Sequence, residues 1–312
     1  MEPTPQLIRQ QNLDRAIARL CSIDEMRHTC PTRSREGEPM LSSDSVKKIA
    51  RLAGRLLFPG FAEDSVTNPS VMRSSMTLDA YKLIDVLTHQ VMAAMCFSAG
   101  GCSTPLSEIH QRAEAIAEDF VTALPGMRRI LDTDIQATFK ADPAADSPYE
   151  VIASYPGFRA TVCYRIAHQL YEAGVPILPR MISELAHSIT GIDIHPAATI
   201  GHSFVIDHGT GVVIGATAII GDRVCIYQGV TLGARSFVKD RDDNPVKGLP
   251  RHPIIGDDVV IYSNATILGR VTIGRGAVIG GNIWVARDVA PGEKLVQARA
   301  DNFVSSGGAN SK

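Results

Sequence analysis

The chain carries almost no net charge: 31 Lys plus Arg stand against 33 Asp plus Glu, leaving −2. The basic stripe of a dedicated nucleic-acid binder is therefore missing. No uncharged apolar run approaches the roughly 18 residues of a membrane-spanning helix, so no membrane span is expected. The opening Met1-Glu2-Pro3-Thr4-Pro5 has no basic segment leading into an apolar one, so no secretory signal is expected either. The six cysteines (Cys21, Cys30, Cys96, Cys102, Cys163 and Cys225) include no C-x-x-C pair. That argues against a zinc knuckle or a disulfide framework and for thiols in a reducing cytoplasm. Aromatic residues are scarce at 5%, with one tryptophan, Trp284. A hydrophobic content of 45% is nevertheless enough for a core and excludes wholesale disorder. The length of 312 residues fits one large domain or two ordinary ones.

Residues 1–190 read as helical. Apolar residues fall at helical spacing at Leu7, Leu13, Ile17 and Leu20, and at Val46, Ile49, Leu52 and Leu56 behind the cap-like Ser42-Ser43-Asp44. The stripes Leu83, Ile84, Leu87, Val91 and, after Pro105, Ile109, Ala113, Ile116, Phe120 follow the same rule. Two more helices are expected, over 158–171 before Gly174 and over about 179–187 before Gly191, and a connector from Pro59 to Ser75.

From Gly191 the period changes. Aliphatic residues recur every six positions at Ile194, Ile200, Ile206 and Val212. After a slip of two they resume at Ile214, Ile220, Ile226 and Leu232, and later at Ile255, Ile261, Ile267, Ile273, Ile279 and Val285. Small or β-branched residues sit four later, as at Val259, Ala265, Val271 and Ala277. A period of six fits neither a helix nor a lone strand and is the hexapeptide signature of a parallel β-helix. Three hexapeptides close one coil, so the matched stretches predict roughly four to five coils. The expected architecture is α+β. A helical N-terminal domain (1–190) leads into a β-helix domain (191–292) carrying an inserted loop (233–254), followed by a C-terminal tail (293–312). A three-sided prism with flat faces and open ends predicts a homo-oligomer, with a three-fold axis as the natural symmetry.

The informative residues are those that break the repeat. Asp207 takes a slot that glycine often fills, and His208 beside it points outward. Asp193 precedes His208 by 15 residues, which puts the two on adjacent coils near one corner. There a carboxylate can hold one imidazole nitrogen and leave the other as a base. The break at 233–254 ends in Arg251-His252-Pro253, where the chain re-enters the prism. An unrepeated stretch of about twenty residues inside a solenoid is usually functional or disordered. His168, His187, His195 and His202 read as structural.

Taken in order, these motifs resemble the serine O-acetyltransferases. The matching segments are Asp193-Ile194-His195-Pro196-Ala197-Ala198, Asp207-His208-Gly209-Thr210-Gly211, Gln228-Gly229-Val230-Thr231-Leu232-Gly233 and Arg251-His252-Pro253. Upstream, Asp142-Pro143-Ala144 and Tyr164-Arg165-Ile166-Ala167-His168 extend the resemblance to about residues 134–290. The resemblance implies a left-handed parallel β-helix that uses acetyl-CoA to acetylate the hydroxyl of L-serine, the committed step of cysteine biosynthesis. It implies His208 as general base with Asp193 as its orienting partner. Asp142 and Asp207 would bind the serine ammonium, and Arg251 and His252 its carboxylate. Gly233, Ala234, Ser263 and Gly281 would lie along the co-substrate.

The chemistry suits those roles. A serine hydroxyl needs a base at the moment of attack, and imidazole is the side chain that titrates nearest neutrality. The thioester is already a good leaving group, so no metal and no bound cofactor are expected. A zwitterionic substrate calls for acids and a guanidinium fork, which Asp142, Asp207 and Arg251 supply. Cys225 sits in an ordinary repeat slot, so direct transfer in a ternary complex is expected.

The chain departs from the common bacterial pattern at Ala234-Arg235-Ser236, at Tyr262-Ser263-Asn264, in the length of its loop and at Lys294-Leu295-Val296-Gln297-Ala298-Arg299. Together these resemble a long-loop branch, with trimers expected rather than dimers of trimers. The family's C-terminal isoleucine, which enters cysteine synthase, has no counterpart in the polar 305–312 segment, so that complex is not expected. Cysteine is a possible feedback inhibitor through the same charge pattern. The main alternative is a hexapeptide acyltransferase acting on a sugar hydroxyl or amine, which would not need a charge clamp. A zinc hydratase would need three histidines, for which His202, His208 and His252 are the candidates by count.

Overall fold

The computed structural model describes residues 5–20, 39–61, 68–98, 104–236 and 238–297. Cys21, Cys30, Cys102, Phe237 and the 305–312 segment lie outside them. Among the described residues seven helices run α1 (Pro5–Leu20), α2 (Ser43–Leu57), α3 (Pro69–Ser98), α4 (Leu106–Ala141), α5 (Pro148–Ser154), α6 (Pro156–Glu172) and α7 (Leu178–Thr190). Contacts divide the chain into one unit of residues 1–128 with 165–185 and another of 129–164 with 186–312. No helix among the described residues is long and apolar enough to cross a membrane.

In the first unit α2 begins where its cap residues place it: the Ser42 side chain accepts the Ser45 N–H. The helix buries Val46, Ile49, Leu52 and Leu56, and α3 buries Leu83, Leu87 and Val91. Arg55 pairs with Asp79 at 2.7 Å, and the Gln90 amide bridges to the Ser42 N–H and the Met40 carbonyl. The expected connector is shorter than Pro59–Ser75, because Asn68 caps α3 through the Ser70 N–H and Pro69 starts the helix. The stripe of α1 forms a helix, but Leu13, Ile17 and Leu20 are exposed. Cys96 is disulfide-bonded, which corrects the expectation of thiols throughout.

The second unit holds the parallel β-helix. Its first face stacks Asp193–Ile194, Val213–Ile214, Thr231–Gly233, Thr266–Leu268 and Trp284–Val285. The second stacks Thr199–Ile200, Ile219–Ile220, Ile254–Ile255 and Thr272–Ile273. The third stacks Val205–Asp207, Cys225–Tyr227, Val260–Ile261, Val278–Ile279 and Lys294–Leu295. Every aliphatic residue of the hexapeptide runs is buried, and Ala198, Ala218, Val224, Val230, Val259, Ala265 and Ala277 fill the smaller inward slots.

Register locates the phase slip. Val213 pairs with Thr231, 18 residues on, whereas Asp193 pairs with Val213, 20 residues on. Ile206 pairs with Ile226, and the Gly229 N–H donates to the Thr210 carbonyl. The two extra residues are therefore His208 and Gly209, both in the left-handed region at φ 57° and 89°. Val212 takes the small inward slot, so the slip precedes it rather than follows it. A second lengthening carries residues 234–250 out of the prism. These close on themselves through a Lys239–Pro245 bridge and the Asp240 carboxylate, which accepts the Asp242 and Asn244 N–H groups.

Helical residues of this unit seat the first coil. Asp134, fully buried, accepts the Phe204 N–H at 2.9 Å, and Thr133 accepts the Ser203 N–H at 3.0 Å. The buried Tyr164 donates its hydroxyl to the Ala198 carbonyl at 2.6 Å. Gly157 lies against the backbone of Ile206, where an added Cβ would stand 2.1 Å from the carbonyl oxygen.

Candidate active site

The two-residue bulge pushes His208 out of the prism at the corner joining the third face to the first. Its side chain is 75% exposed, and Nε2 stands 3.9 Å from Asp207 Oδ1. Gly209 lets the turn lie on Ile192, whose Cδ1 would be 2.4 Å from a Cβ at that position. Asp193 follows Ile192 and so lies one coil away near the same corner. Its carboxylate, however, stands within 4.8 Å of a His187 ring nitrogen, while Asp207 is the carboxylate at ion-pair distance from His208.

Asp142 faces this corner. Its carboxylate accepts the Ala144 N–H at 2.8 Å and the Tyr155 hydroxyl at 2.5 Å. The Tyr155 bond first, then the Ala144 bond and the nearby His208 imidazole, hold its carboxyl below the ordinary carboxylate value. The bond to Asp142 pushes the Tyr155 phenol up to about 12, so it stays a donor at any working pH. Sequence reading missed Tyr155 because it missed α5. Ser147 caps that helix by accepting the Glu150 N–H, and Pro148 occupies its first turn. The run Ser147-Pro148-Tyr149-Glu150 is a legible capping signal. Tyr227 and Tyr262, on the next coils above Asp207, stack with centroids 5.1 Å apart.

Arg251 and His252 lie elsewhere, at the corner joining the first face to the second. His252 is buried. Its ring lies over Gly215, where an added Cβ would stand 2.0 Å from Cδ2. Burial first, then the charges of Arg251, His195 and Arg270, press its imidazole down to about 4. Gly215→Ala is expected to displace this ring and to cost about 1–3 kcal/mol, as overpacking in a filled core does, read by urea unfolding.

The remaining expected residues divide between these corners. Gly233 ends Thr231–Gly233 of the first face, Ala234 follows it, and both lie toward the Arg251 corner. Ser263 and Gly281 share the His208 corner, where an added Cβ at Gly281 would lie 3.1 Å from the Ser263 carbonyl oxygen. His202 pairs with Asp222 at 3.3 Å at the third corner, so the three histidines of the zinc alternative stand on three different corners. Cys225 is a poor nucleophile: burial, and then Asp207, push its thiol up to about 11.

A parallel β-helix of hexapeptide coils, with an outward imidazole on a bulged corner, defines the class as a hexapeptide-repeat transferase. Residues 252–282 match the family Bacterial transferase hexapeptide (six repeats). The plasmid serine acetyltransferase of Synechococcus elongatus is 46% identical over 278 residues, covering 86% of each chain. That of Bacillus subtilis is 45% identical over 177 residues, 54% of this chain and 77% of its own. Serine acetyltransferase 1 of Entamoeba histolytica, solved in complex with L-cysteine, superposes with a TM-score of 0.69 at 35% identity, over 84% of this chain and 87% of that one. The Neisseria gonorrhoeae enzyme, solved in complex with serine, gives 0.53 at 26% identity, over 83% of this chain and 97% of that one. The chain belongs to the serine acetyltransferase family.

Proposed function

We propose that this chain transfers the acetyl group of acetyl-CoA to the hydroxyl of L-serine, giving O-acetyl-L-serine and CoA, the entry step of cysteine biosynthesis in the cytoplasm. The observation that carries the reading is His208, held outward by a two-residue insertion between the carboxylates of Asp207 and Asp142. In the ternary complex one imidazole nitrogen takes the serine hydroxyl proton as the oxygen attacks the thioester carbonyl. The C–S bond then breaks, and the imidazolium returns the proton to the departing thiolate. Asp142 and Asp207 face the serine ammonium, and Arg251 with His252 faces its carboxylate. Gly233, Ala234, Ser263 and Gly281 line the acetyl-CoA path. Asp193 orients the imidazole once the exposed His208 side chain turns toward it.

The two halves of this set sit on different corners of one prism, so a copy on its own holds an acid–base corner and a guanidinium corner apart. A homotrimer is therefore our proposed working form, in which the first corner of one copy would meet the second corner of its neighbour. We take residues 191–292 as the catalytic domain and 1–190 as the helical part that lends it Asp142. Cysteine, which keeps the ammonium and carboxylate of serine, fits the same charges and is the expected inhibitor.

Incubation of purified protein with acetyl-CoA and L-serine, and separately with a panel of sugars and amines, tests this reading. Serine-dependent CoA release with O-acetylserine as product is expected; release with a sugar alone would overturn it. Tyr155→Phe removes a donor from Asp142, which is expected to raise the serine KM by roughly five- to ten-fold. Because the lost bond had lowered the Asp142 carboxyl, the carboxylate should also be protonated at higher pH. The acid limb of the kcat/KM profile for serine therefore moves up in pH.

A further inference from the structure

We propose that Thr217 is a positioning residue for the substrate-carboxylate corner: its hydroxyl ties down the Arg251–His252 turn, and its backbone N–H fixes the His252 proton on Nε2. The inference rests on the serine reading above for its kinetic consequence, but its geometry stands alone. The Thr217 N–H lies 3.0 Å from His252 Nδ1. A backbone N–H can only donate, so Nδ1 must be the unprotonated acceptor and the ring proton must sit on Nε2.

The hydroxyl closes the same argument. Thr217 Oγ1 accepts the N–H of Arg251 at 2.9 Å and that of His252 at 3.1 Å. With both acceptor positions used, its own proton points to Nδ1, 2.8 Å away, and shares that nitrogen's single lone pair with the Thr217 N–H. Arg270 fastens the assembly from outside, donating Nη1 to the Thr217 carbonyl at 2.6 Å and to the His252 carbonyl at 3.0 Å. Residues 251–252 are the first to rejoin the prism after the long loop, so no preceding strand sets their position. Thr217 performs that task from 34 residues away.

One consequence is chemical. The charged and titratable groups acting on the His252 ring are Arg251, Arg270 and His195, with no carboxylate among them. The ring therefore works as a neutral N–H donor, and the positive charge near a carboxylate bound at this turn comes from Arg251, with Arg270 behind the turn. A second consequence concerns conservative change. Valine matches threonine in shape but leaves two half-buried N–H groups without their acceptor, whereas serine keeps the hydroxyl.

The test has two arms. Thr217→Val is expected to raise the serine KM about ten-fold or more while leaving kcat and the acetyl-CoA KM near wild type, with Thr217→Ser restoring the serine KM. Independently of activity, ¹⁵N spectra of the wild-type protein are expected to show His252 with a bare Nδ1 and a protonated Nε2, unchanged between pH 5 and 8. A serine KM that does not respond to valine, or a protonated Nδ1, would overturn the proposal. Wild-type protein that leaves serine unacetylated would instead defeat the function assigned above, with the spectra still deciding the His252 tautomer.

Discussion

His208→Ala is expected to lower kcat by roughly 10²–10⁴-fold, the usual worth of a positioned general base. The acetyl-CoA KM should change little, because in the proposed mechanism the imidazole acts on the serine proton, away from the proposed acetyl-CoA path along Gly233, Ala234, Ser263 and Gly281. The fold should survive as well: the side chain is exposed, and the bulge depends on the backbone at His208 and Gly209, not on the ring. Steady-state kinetics with both substrates, beside an unfolding curve, checks all three points. A loss of stability equal to the loss of rate would make His208 a structural residue.

Arg251→Ala is expected to act on the other side of the reaction. A charge-assisted fork to a carboxylate is worth about 1.5–3 kcal/mol, so the serine KM should rise roughly 10- to 150-fold with kcat affected far less. Arg251→Lys keeps the charge and loses the planar fork, so it should recover only part of the loss. The comparison reads directly whether two-point recognition or charge alone is at work. The main-chain anchor of the turn on Thr217 is untouched in both variants, so their stability should stay near wild type.

The repeat was legible because it is periodic. Each inward slot at Ile214, Ile220 and Ile226 is set by its own hexapeptide, and no distant residue is needed to recognise it. The slip near Ile206 was visible too, but its place was not. Counting by six assigns Val212 to the large inward slot, whereas the 20-residue pairing of Asp193 with Val213 puts the extra residues at His208 and Gly209. That displacement is what turns a repeat residue into an outward imidazole. The charge pattern of Asp142, Asp207 and Arg251 could be read as residue types, but not its division between two corners, which only the three-face topology reveals.

Other parts were hidden for different reasons. The seven-residue α5 is too short to show helical periodicity, and with it went Tyr155, the donor that sets the state of Asp142. Thr217 looks like any small residue of a hexapeptide; its role comes from partners beyond an inserted loop. Asp193 was placed near His208 by coil arithmetic, yet its carboxylate lies beside His187, a helical residue that no repeat rule connects to the prism.

The central claim is that the His208 corner and the Arg251 corner make one serine site, each supplied by a different copy. Co-expression of His208→Ala with Arg251→Ala tests it most directly. Each variant alone is crippled, but mixed oligomers contain junctions where an intact His208 corner meets an intact Arg251 corner. With random assembly about a three-fold axis, roughly a quarter of the junctions are intact, so about a quarter of the wild-type rate should return at low serine. A mixture no more active than the better single variant would contradict the account and place both halves of the site on one copy.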